Sequence, residues 1–206
     1  MTKIKFCGLS RPCDIAYVNE LRPEYIGFVF AKESRRYVLP ETAAALRPAL
    51  GGAVCPVGVF VNEPPENVAE LLNGGVIDMA QLHGQEDEAY IQKLRRLTDK
   101  PLIQAFPIRC AADAAAAARS SADYILLDSG SGGTGKHFDW SLTAEVSRSY
   151  FLAGGLSADN VAQAVGMARP YAVDVSSGVE TGGFKDFEKM RRFVQAARGE
   201  IKWFSF

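Results

Sequence analysis

Cys7 ends a short apolar run, Lys3-Ile4-Lys5-Phe6-Cys7, and passes directly into the turn Gly8-Leu9-Ser10-Arg11-Pro12. Asp128 ends Tyr124-Ile125-Leu126-Leu127-Asp128, and Asp174 lies in Ala172-Val173-Asp174-Val175. A thiol and two carboxyl groups at strand C-terminal ends occupy the positions where parallel α/β folds carry out proton transfer or nucleophilic attack. Strand alternation sharpens the picture: if Cys7 points into a barrel mouth, Lys5 shares its face two residues below, while Ile4 and Phe6 face the other way. An inward lysine needs a carboxylate, and Asp174 is the candidate. A purely structural ion pair is an equally open reading of the same two residues. On residue type alone a lone cysteine is more often core than catalyst.

Glycine and serine follow the runs near 150–153 and 171–175: Gly154-Gly155-Leu156-Ser157 after the first, Ser176-Ser177-Gly178 after the second. Backbone N–H groups can approach an anion closely at glycine, and a helix start adds a favourable dipole, so this pair of loops is predicted to hold a phosphate. Gln81 and His83, at another strand end, are candidates for pocket lining, with satisfied polar residues as the plain alternative. Asp128 before Ser-Gly could be merely a turn former. Asp139 before Trp140 reads as a helix N-cap. The stretch Ser129-Gly130-Ser131-Gly132-Gly133-Thr134-Gly135-Lys136 is the most glycine-rich in the chain. It lacks the spacing of a nucleotide-binding loop, and a lid closing over substrate fits it better.

These residues need a scaffold that brings them to one place. Short β-branched or aromatic runs alternate with amphipathic stretches along the chain, the signature of βα units and a parallel sheet. Strands are predicted at 3–7, 24–30, 54–61, 77–82, 101–106, 123–128, 150–153 and 171–175. Helices are predicted at 12–21, 40–49, 64–73, 86–97, 110–119, 140–148, 157–167 and 185–198. Early prolines, capping residues and first-turn acids at Pro40-Glu41, Pro64-Pro65-Glu66 and Ser157-Ala158-Asp159-Asn160 support the helix starts. Such a count in 206 residues leaves little room for insertions, so the predicted fold class is α/β, a single (β/α)8 TIM-barrel domain over 1–206 with 199–206 a short aromatic tail.

Composition narrows the partners. With 23 Lys plus Arg against 24 Asp plus Glu, the chain offers no electrostatic case for nucleic acid or an anionic membrane. The four cysteines lack CxxC spacing, so neither zinc nor a disulfide framework is predicted. No apolar run approaches the ~18 residues of a membrane span, and a cytoplasmic location is the default expectation. The expected partner is a small molecule.

The ordered series Lys5-Phe6-Cys7-Gly8-Leu9-Ser10-Arg11, Gly27-Phe28-Val29-Phe30, Ser34-Arg35-Arg36-Tyr37-Val38, Val57-Gly58-Val59-Phe60-Val61-Asn62, Gln81-Leu82-His83-Gly84, Leu127-Asp128, Gly133-Thr134-Gly135, Phe138-Asp139-Trp140, Ala153-Gly154-Gly155-Leu156 and Asp174-Val175-Ser176-Ser177-Gly178-Val179-Glu180 resembles the phosphoribosylanthranilate isomerases of tryptophan biosynthesis. The match runs from the first predicted strand to the last. The resemblance implies an Amadori rearrangement of a phosphorylated aminoaldose to an aminoketose, without metal or organic cofactor, by a monomer or a homodimer. Asp128 then matches the general acid and Cys7 the general base. Arg36 matches the residue that meets the anthranilate carboxylate. Gly154, Gly155, Ser176, Ser177 and Gly178 match the phosphate grip, with Gln81, His83 and Asp174 beside the substrate.

The chemistry sets ionisation demands: Asp128 should have a raised pKa, and Cys7 one lowered from the usual ~8.5 by positive charge, for which Lys5 is a source. Cys13 and Phe6 depart modestly from the family pattern, at positions that should not touch substrate. Another phosphate-gripping barrel, an epimerase or an indole-glycerol-phosphate synthase, would need strand-end metal ligands or a lysine acid that are not evident. A noncatalytic phosphosugar-binding barrel is the rival of a different class. A bifunctional isomerase would be expected to pair aspartates where Cys7 stands.

Overall fold

The structure, a computed structural model, describes residues 1–129 and 138–199. Eight parallel strands close in chain order into a barrel: β1 Lys3–Cys7, β2 Tyr25–Val29, β3 Cys55–Phe60, β4 Met79–Leu82, β5 Leu102–Pro107, β6 Tyr124–Asp128, β7 Tyr150–Leu152 and β8 Ala172–Val175. The seam is the β1–β8 pairing, whose register sets Lys5 opposite Asp174. Around the barrel run α1 Pro12–Leu21, α2 Pro40–Leu46, α3 Pro65–Asn73, α4 Glu88–Arg95, α5 Ala111–Ala117, α6 Val161–Ala168 and α7 Phe187–Arg198. The predicted lid residues 130–137 and the tail beyond 199 lie outside the described residues.

Alternation within the strands sorts side chains as the sequence requires. Ile4, Phe6, Ile26, Phe28, Leu82, Ile125, Leu127 and Val173 are buried in the shell between strands and helices. At about 1.5–3 kcal/mol for each large apolar side chain taken from water, this shell is the main force holding helices to barrel. The barrel interior holds a second layer that includes Val57, Met79, Ile103, Leu126 and Phe151. Tyr25 and Tyr171 meet hydroxyl to hydroxyl at 2.9 Å, with the Lys3 ammonium 2.7 Å from the latter and Tyr124 stacked on its ring. That aromatic floor closes the end where the strands begin. A smaller cluster of Cys7, Val29 and Val59 lies nearer the other end.

Two predicted helices differ from expectation. The segment 140–148 forms only a 3-10 turn, Trp140–Thr143, capped by Asp139, whose side chain accepts from the Ser141 N–H at 3.0 Å. Its Thr143 hydroxyl donates to the Trp140 carbonyl at 2.8 Å, and Ser147 and Ser149 follow. Serine and threonine side chains that bond nearby backbone compete with the helical ladder, which gives the turn little to propagate along. α6 starts at Val161 instead of Ser157 because Asn160 closes a local turn, accepting from the Ser157 N–H at 2.9 Å and donating to the Gly155 carbonyl at 2.9 Å. No helix among the described residues is long and apolar enough to cross a membrane.

Candidate active site

The loop leaving β1 is fixed immediately after Cys7. The buried carboxylate of Asp14 accepts from the backbone N–H groups of Ser10 at 2.9 Å and Arg11 at 3.0 Å, satisfying donors at the start of α1, where Pro12 needs none. Gly8, at φ 84°, donates to the Gly27 carbonyl at 2.8 Å. Cys7 therefore has a defined position at the mouth.

One pocket at that mouth is lined by Cys7, Arg36, Gln81, His83, Asp128, Gly154, Gly155, Asp174, Ser176 and Ser177. Of the predicted site residues only Gly178 is not part of its wall. A β-carbon at Gly178 would lie 1.9 Å from the Leu156 carbonyl oxygen, so its bare backbone lets the loops after β7 and β8 touch. Gly178 thus lets the two loops meet. Gly154, at φ 88°, has a comparable duty: a β-carbon there would come within 2.8 Å of Asp128 Oδ1.

Beneath the pocket, Lys5 Nζ lies 3.0 Å from Asp174 Oδ1, with the lysine fully buried and the aspartate nearly so. Burial alone would pull the Lys5 pKa down, but Asp174 and the neighbouring thiol hold it above the ordinary lysine value. Gly27, opposite Cys7 in the β1–β2 register, makes room for both groups: a β-carbon there would be 2.9 Å from Cys7 Sγ and 3.2 Å from Lys5 Nζ. Removing one partner of such a pair strands a desolvated charge. Asp174→Ala is therefore expected to lower the unfolding free energy by about 3–5 kcal/mol, measured by urea denaturation; a loss under ~1 kcal/mol, the range of solvated pairs, would mean that the pair is not desolvated.

The ionisation states differ from those expected. Burial pushes the Cys7 thiol up, Asp174 adds to the rise, and the opposing pull of Lys5 does not overcome them. Asp128 is also raised by burial, but His83 and Ser129 outweigh that and set its carboxyl below the usual range. His83 Nε2 stands 3.4 Å from Asp128 Oδ2, while its Nδ1 lies 2.7 Å from Gln81 Nε2. With Gln81 donating to Nδ1, the imidazole carries its proton on Nε2 and points it at the carboxylate. The buried Gln81 Oε1 has no hydrogen-bond partner among the described residues. Both pKa directions, the thiol's up and the carboxyl's down, run against what Asp128 as acid and Cys7 as base require.

Sequence reasoning left two residues without a role. Arg36 donates to Glu180 through Nε at 2.7 Å and Nη2 at 2.8 Å, and Lys185 Nζ donates to the same carboxylate at 2.6 Å. Lys185 also donates to the Ser176 carbonyl at 3.1 Å, and Ser176 Oγ donates to the Cys7 carbonyl at 2.9 Å. Glu180 and Lys185 face one another because Glu180–Thr181 and Phe184–Lys185 pair antiparallel across Gly182-Gly183. A Gly-Gly turn flanked by an acid and a base was the available signal. No group of three or more His, Cys, Asp or Glu among the described residues is placed to hold a metal.

A thiol, a carboxyl group and two glycine- and serine-bearing loops around one mouth define a (β/α)8-barrel enzyme that works by acid–base chemistry at the C-terminal ends of its strands. A family model described as N-(5'-phosphoribosyl)anthranilate (PRA) isomerase matches residues 4–196, and the chain belongs to that family. It is 44% identical over 202 residues to the N-(5'-phosphoribosyl)anthranilate isomerase of Endomicrobium trichonymphae, covering 96% of this chain and 99% of that one. The Acetivibrio thermocellus isomerase is 46% identical, with 96% of each chain covered. Among solved structures, the phosphoribosyl anthranilate isomerase of Thermus thermophilus superimposes with a TM-score of 0.88 at 34% identity, covering 97% of this chain and 100% of that one. An isomerase in complex with reduced 1-(o-carboxyphenylamino)-1-deoxyribulose 5-phosphate does so with a TM-score of 0.85, also at 34% identity and with the same coverage.

Proposed function

We propose that Asp128 and Cys7 are the acid and base with which this chain, an isomerase of tryptophan biosynthesis, converts N-(5'-phosphoribosyl)anthranilate to 1-(2-carboxyphenylamino)-1-deoxyribulose 5-phosphate. The observation that carries the assignment is their presence in the wall of one pocket, on β6 and β1, between the loops that follow β7 and β8. Asp128 gives its proton to the ribose ring oxygen as the C1–O bond breaks and the nitrogen lone pair forms a C1=N iminium. The iminium acidifies the C2 hydrogen, which Cys7 takes as a thiolate. The electron pair left behind neutralises the nitrogen and yields an enol. Ketonisation then adds a proton at C1 as the C2 hydroxyl loses one. The acid has lost one proton and the base gained one, and exchange with solvent restores both.

The loops bearing Gly154, Gly155, Ser176, Ser177 and Gly178 hold the phosphate, and Arg36 receives the anthranilate carboxylate. Gln81 Oε1, buried and unpartnered in the pocket wall, accepts from a substrate hydroxyl. One barrel supplies all these groups and is read as a single catalytic domain, as a monomer or a homodimer in the cytoplasm. A Thermotoga maritima relative, 35% identical, is described as dimeric.

The productive form, thiolate with protonated carboxyl, and its converse differ by the place of one proton, so both carry the same number of protons. Their ratio is then independent of pH between the Asp128 and Cys7 pKa values. The activity test is loss of fluorescence of freshly generated phosphoribosylanthranilate, followed from pH 6.5 to 10. Above the substrate phosphate's own ionisation near ~6, kcat/KM is expected to stay level to beyond the ordinary thiol value of ~8.5. It should decline only when the thiol ionises while Asp128 is already ionised, which leaves no acid. A fall that begins near ~pH 7.5 would discard this protonation scheme, and absence of turnover would discard the activity.

A further inference from the structure

We propose that Glu180 is a positioning residue that aims the Arg36 guanidinium at the substrate's carboxylate, so that a pair of loops distant in sequence sets the preference for an anthranilate-bearing aminoaldose. The inference rests on the assignment of Arg36 to that carboxylate.

Glu180 and Arg36 are 144 residues apart and meet through two parallel bonds, a fork-to-fork geometry that fixes the guanidinium plane as well as its place. The pair engages only the Nε–Nη2 edge. Among the described residues the remaining donors of the guanidinium, on its other edge, are unengaged, and Arg36 belongs to the pocket wall. The arginine stem is held from the opposite side by the β1–α1 turn: a β-carbon at Gly8 would lie 2.4 Å from Arg36 Cδ. Arg36 is thus confined between Gly8 and Glu180.

Charge points the same way. Glu180 is 8% exposed, and its carboxylate is shared by two cations, Arg36 and the 4%-exposed Lys185. Within this cluster one acid faces two bases, with burial lowering the Lys185 pKa, and an incoming carboxylate would supply a second anion to Arg36. Arg35 Nη2 stands 3.8 Å from Glu180 but its side chain is 65% exposed, so it adds little to this balance. Lys185 in turn ties the cluster to the Ser176 carbonyl in the loop after β8. The guanidinium and the phosphate-side loop are therefore anchored to one another.

The test compares two ligands, reduced 1-(o-carboxyphenylamino)-1-deoxyribulose 5-phosphate and its aniline counterpart without the carboxylate, on wild type, Glu180→Gln and Arg36→Gln, with thermal unfolding to verify folding. Glu180→Gln is expected to weaken the first ligand by about tenfold and the second by less than about threefold, the range of one charge-assisted contact. In turnover it should raise KM with kcat little changed, since a bond made equally in ground and transition states is lost. If Glu180→Gln does not fold, Glu180→Asp, which keeps the charge but withdraws it from Arg36 by one methylene, is measured instead and read in the same way. Equal weakening of both ligands, tighter binding of the carboxylate ligand, or no change overturns the positioning role. When Arg36→Gln is selective but the Glu180 variants are not, only the positioning role fails. If Arg36→Gln itself weakens both ligands alike, the carboxylate assignment fails and the inference falls with it.

Discussion

Asp128→Asn is expected to lower kcat by about 10²–10⁴-fold, the range for losing a general acid, with KM changed far less. The amide is close in size and keeps the turn into Ser129, so the loss is chemical. Of the other ionisable groups near the pocket, His83 turns its Nε2 toward residue 128, and Asp174 is held by the fully buried Lys5. Ring opening without a proton at the ring oxygen must expel an alkoxide. His83 and Ser129 hold the Asp128 pKa down against burial, and donation to the ring oxygen is helped when that pull is offset in the complex. The substrate's two anionic groups favour that, as a negative charge nearby always raises a carboxyl pKa. Steady-state and single-turnover rates on the folded variant are the measurements, and an undiminished rate would remove Asp128 from the mechanism.

Cys7→Ser should cost about 10²-fold or more in kcat for the complementary reason. The hydroxyl fits the space that Gly27 leaves beside the strand, where a β-carbon would already approach the sulfur at 2.9 Å. It differs in ionisation: an alcohol releases its proton far less readily than a thiol, whose free value is about 8.5. Burial pushes that value up further here, and Lys5 offsets it only in part. An alkoxide in the same place would be negligible in amount. The loss should be largest in the proton-abstraction step, so substrate deuterated at C2 is expected to show a larger isotope effect with Cys7→Ser than with wild type. Equal rates with serine would mean that another group takes the C2 proton.

Both predictions concern residues that could be read before any coordinates, for a definite reason. A strand has a two-residue repeat, and in a closed barrel that repeat sends alternate side chains to the interior. Lys5 and Cys7 had to share a face opposite to Ile4 and Phe6, which are buried in the outer shell. Solvation then required a carboxylate for Lys5, and the β1–β8 register supplies Asp174 directly across from it. Helix starts were equally legible where proline and local acids act within a few residues, as at Pro40 with Glu41 and Pro65 with Glu66. The 140–148 segment was not, because its outcome depended on side chains bonding to nearby backbone instead of on apolar spacing.

The chain's local patterns alone settled which strand ends carry a thiol and carboxyl groups, and that glycine and serine follow β7 and β8, because these depend on short-range periodicity and turn chemistry. Tertiary structure decided their electrical state and aim. His83 reaches Asp128 from the end of a different strand, at 3.4 Å, and lowers its pKa against the effect of burial. Glu180 reaches Arg36 across 144 residues, and Gly178 lets the loops after β7 and β8 meet at the Leu156 carbonyl. Charge interactions fall off with distance in space and respond to exclusion of water. Neither quantity exists for a residue until the barrel has closed around it.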